Sequence, residues 1–174
     1  MNALIELLKI LIPAGAVLAA AYFLVKRFLD NDQKRREHEL KKTSQATITP
    51  LKIQAYERIV IFLERINPNS IVIRVNKNGM SARQLQMDLV ATVKNEYEHN
   101  LSQQIYMSPG SWEMVKNAKE EIIKLVNISS SKVSADAPGS DLAMMILNIT
   151  ANLDRKLPND VALEYVKREI AQTF

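Results

Sequence analysis

An uncharged apolar run near the N-terminus, ILIPAGAVLAAAYFLV at residues 10–25, constrains this chain more than any other sequence feature. Apolar residues on both sides extend it to about residues 4–29. A membrane-spanning helix needs about 17 to 25 predominantly apolar residues. Lys9 and Lys26 can lay their aliphatic stems along apolar surface and place their ammonium groups among lipid headgroups. The run therefore predicts a transmembrane anchor over residues 1–29.

A cleaved signal peptide and a buried soluble helix are the alternatives to an anchor. Ala19, Ala20 and Ala21 together offer the small side chains of a cleavage site. A signal peptide carries its bases before the apolar run, whereas here the bases follow it. Bases that follow a span favour a cytoplasmic location for that side. The expected topology is a single pass with the N-terminus outside and a cytoplasmic C-terminal domain.

Positive charge is concentrated directly after the run. The chain has a formal charge of +4, and residues 26–42 contribute seven bases against four acids. This stretch predicts a charged juxtamembrane stalk over residues 30–48. Its bases are candidates for contacts with anionic lipid headgroups, and the interspersed acids favour the alternative of a solvated stalk. The rest of the chain is near neutral, so no nucleic-acid partner is expected. The candidate headgroup residues are Lys26, Arg27, Lys34, Arg35 and Arg36.

The remaining residues, 49–174, have the composition of a helical domain. Glycine and proline are scarce, at 4 and 6 in the whole chain, while strong helix formers are plentiful. Cysteine is absent, which excludes disulfides, thiolate nucleophiles and cysteine-ligated metals. Thr49 followed by Pro50 predicts the start of the first helix of this domain.

Apolar residues at i, i+3 and i+4 spacing predict a bundle of about five helices. In the second helix, the apolar stripe expected to face the core is Leu85, Leu89, Val93, Tyr97, Leu101 and Ile105. Ser81 and Gln84 have capping-box spacing at the start of the second helix, and Ser140 is expected to cap the fourth. IVIRV, at residues 71–75, is predicted as an extended connector or a short helical turn. The fold class is therefore all-α, with one N-terminal transmembrane helix followed by the bundle. The five helices are expected at about residues 50–66, 82–106, 111–127 and 140–153, and from residue 158 onward.

Residues 96–112, EYEHNLSQQIYMSPGSW, are the richest stretch in side chains capable of chemistry. Amides and aromatic rings at this position could form a buried hydrogen-bond network or, at a surface, a partner site. Both interpretations remain open from sequence, with the internal network preferred. The candidate residues are Glu96, Glu98, His99, Asn100, Gln103, Gln104, Tyr106 and Trp112.

The same stretch gives little support to a metal site or an active site. Glu96 and His99 form a Glu-x-x-His motif, but a di-iron bundle needs two such motifs and only one is present. No nucleophile motif or glycine-rich phosphate loop accompanies His99. We therefore predict no metal, no cofactor and no catalytic residue.

Three segments of the chain carry a family resemblance. ITPLKIQAYERIVIFLERI, EYEHNLSQQIYMS and SWEMVKNAKEEI, in this order after an apolar run and a basic stalk, resemble an uncharacterised family of short single-pass proteins from Bacteroidota. The resemblance covers most of the chain and weakens after about Ser129. It implies a location in the bacterial inner membrane, and it assigns no residue a role.

Together these features predict a membrane-anchored, non-enzymatic protein-interaction or scaffolding module, such as an accessory subunit of an inner-membrane complex. The alternative is an enzyme or a small-ligand-binding helical domain centred on residues 96–112. Expected partners are membrane lipid and another membrane protein or complex. A homo-oligomer is also possible, because Gly15 with Ala19, and Ala16 with Ala20, have small-xxx-small spacing.

Overall fold

The computed structural model describes the backbone of residues 2–173 and the side chains of residue 9, residue 11 and residues 14–173. This part of the chain is all helical, and the predicted helical bundle is present within it. The helices are α1 (Asn2–Arg65), α2 (Pro68–Val75), α3 (Ala82–Glu98), a 3₁₀ helix (Leu101–Tyr106), α4 (Pro109–Ser130), α5 (Gly139–Ala151) and α6 (Pro158–Thr173).

The predicted transmembrane helix is contradicted. Within the described residues, no helix has both the length and the apolar character needed to cross a bilayer. Part of the predicted anchor, including residues 1–8, lies outside the described side chains. The finding also contradicts the single-pass topology and the inner-membrane location.

The predicted break before Pro50 is also wrong, because α1 runs through it to Arg65. The polar residues in this stretch hydrogen-bond to the helix backbone instead of interrupting it. Thr43 Oγ1 donates to the carbonyl of Glu39 at 2.9 Å, and Thr47 Oγ1 donates to the carbonyl of Thr43 at 3.2 Å. The chain nevertheless divides into two compact units, residues 1–49 and residues 50–174.

The second unit, residues 50–174, contains the hydrophobic core. α4 packs along α3 and α6, and α5 packs against α2, α3 and α4. These helices present apolar faces at helical spacing, so their burial stabilises the bundle. The largest fully buried side chains are Phe62, Ile59, Leu63, Ile66, Ile71, Leu85, Leu89, Ile122, Leu142 and Ile146.

Residues 71–75 belong to the short helix α2, whose Ile71 and Val72 are buried, in agreement with the helical alternative expected for this segment. The expected long helix over residues 82–106 ends at Glu98. A 3₁₀ helix has about three residues per turn, so the apolar stripe of α3 loses its direction beyond this point. Leu101 and Ile105, predicted to point inward, are exposed.

The capping box predicted at Ser81 is present. Ser81 Oγ accepts a hydrogen bond from the N–H of Gln84 at 3.3 Å, and the Gln84 side chain accepts one from the N–H of Ser81 at 3.0 Å. The cap predicted at Ser140 is wrong, because α5 begins at Gly139 after Pro138 as its N-cap residue. Among the described residues, Ser140 Oγ donates only to Oδ1 of its neighbour Asp141, at 3.4 Å.

This contrast gives a matched pair of substitutions. We expect Ser81→Ala to lower the free energy of unfolding by about 1 kcal/mol, because it leaves the Gln84 N–H without its acceptor. Ser140→Ala should lower it by less than about 0.5 kcal/mol. Urea titrations followed by circular dichroism measure both values. Equal losses for the two variants would contradict the capping role of Ser81.

Candidate functional site

The corner between α3 and α4 is fixed by a helix cap. Ser108 is the N-cap residue of α4, and its Oγ accepts a hydrogen bond from the N–H of Ser111 at 3.1 Å. Pro109 follows at the first turn, where its missing N–H removes no helical hydrogen bond. Met107 is extended and connects the 3₁₀ helix to this cap. The chain therefore turns sharply and begins α4 at a defined residue.

One carboxylate from α6 reaches this corner. Oε1 of Glu169 accepts hydrogen bonds from the backbone N–H of Ser108, at 3.1 Å, and from the hydroxyl of Tyr56 on α1. Oε2 accepts short hydrogen bonds from the hydroxyls of Ser108 and Ser111. A single side chain thus joins α6, the start of α4 and the end of α1 that lies in the second unit.

These hydrogen bonds determine the protonation states of both titratable partners. Burial acts to raise the pKa of Glu169, but the hydrogen bonds from Ser108, Ser111 and Tyr56 together hold it below its usual value. Burial, followed by the hydrogen bond to Glu169 and the charge of Glu169, raises the pKa of Tyr56 well above its usual value. Near neutral pH, Glu169 is therefore a carboxylate, and Tyr56 is a neutral phenol that donates to it.

The arrangement limits the chemistry available to Glu169. A carboxylate offers about four acceptor positions, and Glu169 accepts four hydrogen bonds. A general base needs a lone pair directed at the proton that it removes. Glu169 is thus placed to hold the helices together and is poorly placed to move a proton.

A cavity of about 700 Å³ opens beside this carboxylate. Its wall combines three tyrosines, apolar side chains and two bases. Among the described side chains, neither of these bases, Lys52 and Arg168, forms a salt bridge. Ile105 lies at the mouth with 74 % of its surface exposed. The lining residues are Lys52, Tyr56, Ile105, Tyr106, Met107, Ser108, Tyr165, Arg168, Glu169, Gln172 and Thr173.

The structure separates the polar residues predicted between 96 and 112. Glu96 forms salt bridges with Arg65 at 2.7 Å and with Arg74 at 3.8 Å. Asn100 is buried, and its Nδ2 donates to the carbonyl of Glu96 at 2.7 Å. Gln103 is also buried, but its Nε2 donates to the adjacent Ser102 at 3.0 Å. Within the described side chains, Glu96 and Asn100 are thus the only two candidate residues joined by a side-chain hydrogen bond.

Three other candidates, Glu98, His99 and Gln104, are exposed. The backbone carbonyl of His99 accepts a hydrogen bond from Arg58 Nη2 at 3.1 Å, which leaves its imidazole outside this contact. No group of three or more histidine and carboxylate side chains in the described part of the chain could hold a metal ion. The Glu-x-x-His motif of Glu96 and His99 is therefore not part of a metal-binding cluster among the described residues.

The two aromatic candidates belong to different parts of the domain. Tyr106 lines the cavity beside Glu169. Trp112 stacks on Tyr97, with ring centroids 5.4 Å apart, and Lys119 Nζ lies 4.4 Å from the centroid of the Tyr97 ring. Stacked rings and a cation over a ring face stabilise the α3–α4 contact. Trp112 is thus a packing residue between these two helices.

The five bases proposed for lipid headgroups lie exposed on α1 in the first unit. Two of them are engaged within the helix. Arg35 pairs with Glu39 at 3.1 Å and Arg36 pairs with Asp32 at 3.0 Å, both at i, i+4 spacing. Such exposed pairs contribute about 0.3 to 0.5 kcal/mol each.

Comparison with known proteins identifies the family. Residues 2–173 match the model of a family of unknown function, DUF7935. The chain belongs to DUF7935. Searches of curated proteins and of solved structures returned no match.

The main residues of the cavity in this DUF7935 protein were missed from sequence. Ser108 followed by Pro109 has the pattern of a helix start, and this signal could have placed the cap. Glu169 and Tyr56 had no comparable signal, because 113 positions separate them in the sequence. Their contact depends on how three helices pack, which local spacing does not report.

Removal of the Tyr56 hydroxyl tests the hydrogen bonds to Glu169 in this DUF7935 protein. We expect Tyr56→Phe to lower the free energy of unfolding by about 2 kcal/mol, since a partly buried carboxylate loses a donor. Tyr106→Phe is the control, because the Tyr106 hydroxyl has no hydrogen-bond partner among the described residues, and it should change stability by less than about 0.5 kcal/mol. Chemical denaturation measures both, and equal effects would contradict the role given to Tyr56.

The charge of Glu169 should make stability depend on pH. The pKa of an unfolded glutamate is about 4.5, and that of folded Glu169 is lower. The ionised group therefore stabilises the fold fully above about pH 4.5, and this stabilisation is lost as the pH falls through the folded-state pKa. We expect the stability difference between the wild-type chain and Glu169→Gln to be greatest near neutral pH and to shrink in acid. Urea titrations across this pH range measure it, and a constant difference would contradict the mechanism.

Proposed function

We propose that residues 50–174 of this DUF7935 protein form a non-enzymatic protein-interaction module. The docking site is the cavity beside Glu169, and its occupant is an acidic segment of another protein. The observation that carries this proposal is an exposed apolar and aromatic wall next to two bases that have no salt bridge among the described side chains. The motif resemblance supports Bacteroidota as the source of the family.

The composition of the cavity supports a protein occupant. Tyrosine and arginine are enriched among the residues that contribute most to protein–protein affinity. Tyr106, Tyr165 and Arg168 share this wall with Ile105, which an occupant could cover. An exposed isoleucine gains free energy when it leaves water, at about 25 cal/mol per Å² of apolar area.

Charge supports an acidic occupant. Lys52 and Arg168 lie on the cavity wall, while the nearby negative charge of Glu169 is offset by four hydrogen-bond donors. A carboxylate brought beside Lys52 or Arg168 would gain a charge-assisted hydrogen bond. Such pairing contributes to selectivity and association rate more than to total affinity.

The same carboxylate argues against catalysis at this site. Glu169 is engaged by Tyr56, Ser108 and Ser111, and it offers no free acceptor to a substrate. His99 is exposed and does not line this cavity, which argues against the alternative of an active site centred on His99 here. A small organic ligand remains the second candidate, because a volume of about 700 Å³ falls within the range of ligand sites.

A matched pair of isoleucines tests the docking site. Ile105 and Ile73 are 74 % and 75 % exposed, and only Ile105 lines the cavity. We expect Ile105→Asp to abolish retention of a specific partner when the tagged full-length protein is purified from its native cells, because it places a charge against the partner's apolar and acidic groups. Ile73→Asp should retain that partner. The retained proteins are identified by mass spectrometry.

A direct binding measurement completes this test. An acidic segment of the identified partner, made as a labelled peptide, should bind the wild-type chain and bind Ile105→Asp about tenfold more weakly in fluorescence anisotropy. The double variant Lys52→Glu, Arg168→Glu should show a similar loss. Binding that is insensitive to both variants would overturn the docking site. A small molecule found by native mass spectrometry in the wild-type protein and lost in Ile105→Asp would favour the ligand-binding alternative.

A further inference from the structure

A second apolar surface lies where α3 and α4 run side by side. We call it the α3/α4 face and define it by Met87 and Val90 on α3 and by Ile123 and Ile128 on α4. Met87 is 64 % exposed and Ile128 is 45 % exposed. Two shallow depressions of about 540 and 520 Å³ share Asn127, so the surface is continuous across both helices. Continuous exposed apolar surface is typical of protein interfaces.

Contacts at the two ends of α3 show that it runs antiparallel to α4. Near the start of α3, Gln86 Nε2 donates to Asn127 Oδ1 at 3.0 Å, and Ser130 Oγ donates to Gln86 Oε1 at 2.8 Å. Near the end of α3, the ring of Tyr97 lies under Lys119.

This register places two opposite charges at the same level. Lys94 lies one turn before Tyr97 on α3, and Glu120 follows Lys119 on α4. Lys94 and Glu120 line the two separate depressions and are both exposed. Among the described side chains, no salt bridge joins Lys94 to Glu120 within one chain. Glu120 pairs instead with the adjacent Lys119, at 2.8 Å. An exposed salt bridge of this kind contributes little to stability, so Glu120 can leave Lys119 for another basic partner.

We infer that the α3/α4 face binds a second copy of this chain around a two-fold axis parallel to the two helices. Such an axis places α3 of one copy against α4 of the other at the same level. Lys94 of each copy then faces Glu120 of the other, so the pair forms twice, as an isologous interface requires. Arg83, in the first turn of α3, faces the C-terminal end of the other copy's α4, where the helix dipole is negative.

The other two-fold arrangement is disfavoured by the same charges. An axis across the helices would place α3 against α3 in the reverse direction, and the charged residues that α3 contributes to this face, Arg83 and Lys94, are both basic. Like charges that face each other across an interface are unfavourable. The pairing of Lys94 with Glu120 therefore argues for a second copy as the occupant and for an axis parallel to the helices. This inference is independent of the docking site beside Glu169, which lies between α1, α6 and the start of α4.

Charge reversal tests the pairing. Sedimentation velocity of the full-length chain should show a dimer whose dissociation constant rises about tenfold in Lys94→Glu and in Glu120→Lys. The double variant should return close to the wild-type value, because the pair is restored with its signs exchanged. Met87→Asp should weaken the dimer at least as much. Met144→Asp is the control, since Met144 has nearly the same exposure, 63 %, and lies on α5.

Cysteine cross-linking tests the axis without depending on equilibrium affinity. The native chain contains no cysteine. When Lys94→Cys and Glu120→Cys chains are mixed and oxidised, the mixed disulfide should form faster than either self-linked product, since position 94 of one copy faces position 120 of the other across the interface. Met144→Cys should cross-link poorly with both.

Two results would overturn the inference. One is a monomer at about 100 μM, where an interface of standard size should associate. The other is a dimer that is insensitive to Met87→Asp and lacks the preferred mixed disulfide. Circular dichroism of each variant separates loss of association from loss of folding, and the disulfide preference remains informative if Met87→Asp unfolds.

Discussion

The bundle depends on how one partly buried carboxylate is satisfied. Glu169 lies at the N-terminal end of α4, where unpaired N–H groups and the helix dipole favour a negative charge. It accepts from the N–H and hydroxyl of Ser108, from Ser111 and from Tyr56. Loss of any donor would leave a charge with a desolvation cost only partly offset. The first residue of α4, and with it the position of Trp112 against Tyr97, is therefore tied to α6.

The same hydrogen bonds account for the exposed surface beside them. Before the cap at Ser108, the chain leaves α3 and passes through a short 3₁₀ helix, and Ile105 on this path lies outside the core. The floor of the cavity is held by Glu169 from one side and by the cap from the other. A docking surface that is already ordered loses less conformational entropy on binding than a mobile loop would lose. The residues that stabilise the corner, such as Glu169 and Ser108, are thus different from the residue that a partner would cover, Ile105, although all of them line the same cavity.

Features of the fold that depend on residues close together in the sequence could be predicted from it. Apolar spacing placed Leu85, Leu89 and Val93 on the buried side of α3, and the spacing of Ser81 and Gln84 predicted the capping box. The end of α3 was not predictable in this way, because nothing in the apolar stripe marks the change to a 3₁₀ helix after Glu98. The composition of residues 96–112 predicted a polar network or a partner site, but composition does not show that Glu96 would form salt bridges with Arg65 and Arg74. Glu169 was missed because its partners are distant in sequence.

The net charge of a segment similarly did not predict which of its charged side chains are available to a partner. The excess of bases at residues 26–42 is partly consumed by pairs within one helix turn, such as Arg35 with Glu39. The bundle has almost no excess charge, yet its bases and acids are separated in space. Lys52 and Arg168 lie together on one cavity wall, while Lys94 and Glu120 lie at the same level on neighbouring helices. Because exposed charges interact over only about 8 to 10 Å at physiological salt, the local arrangement determines which surface attracts which partner. A near-neutral domain can therefore carry one site suited to an acidic segment and another suited to its own copy.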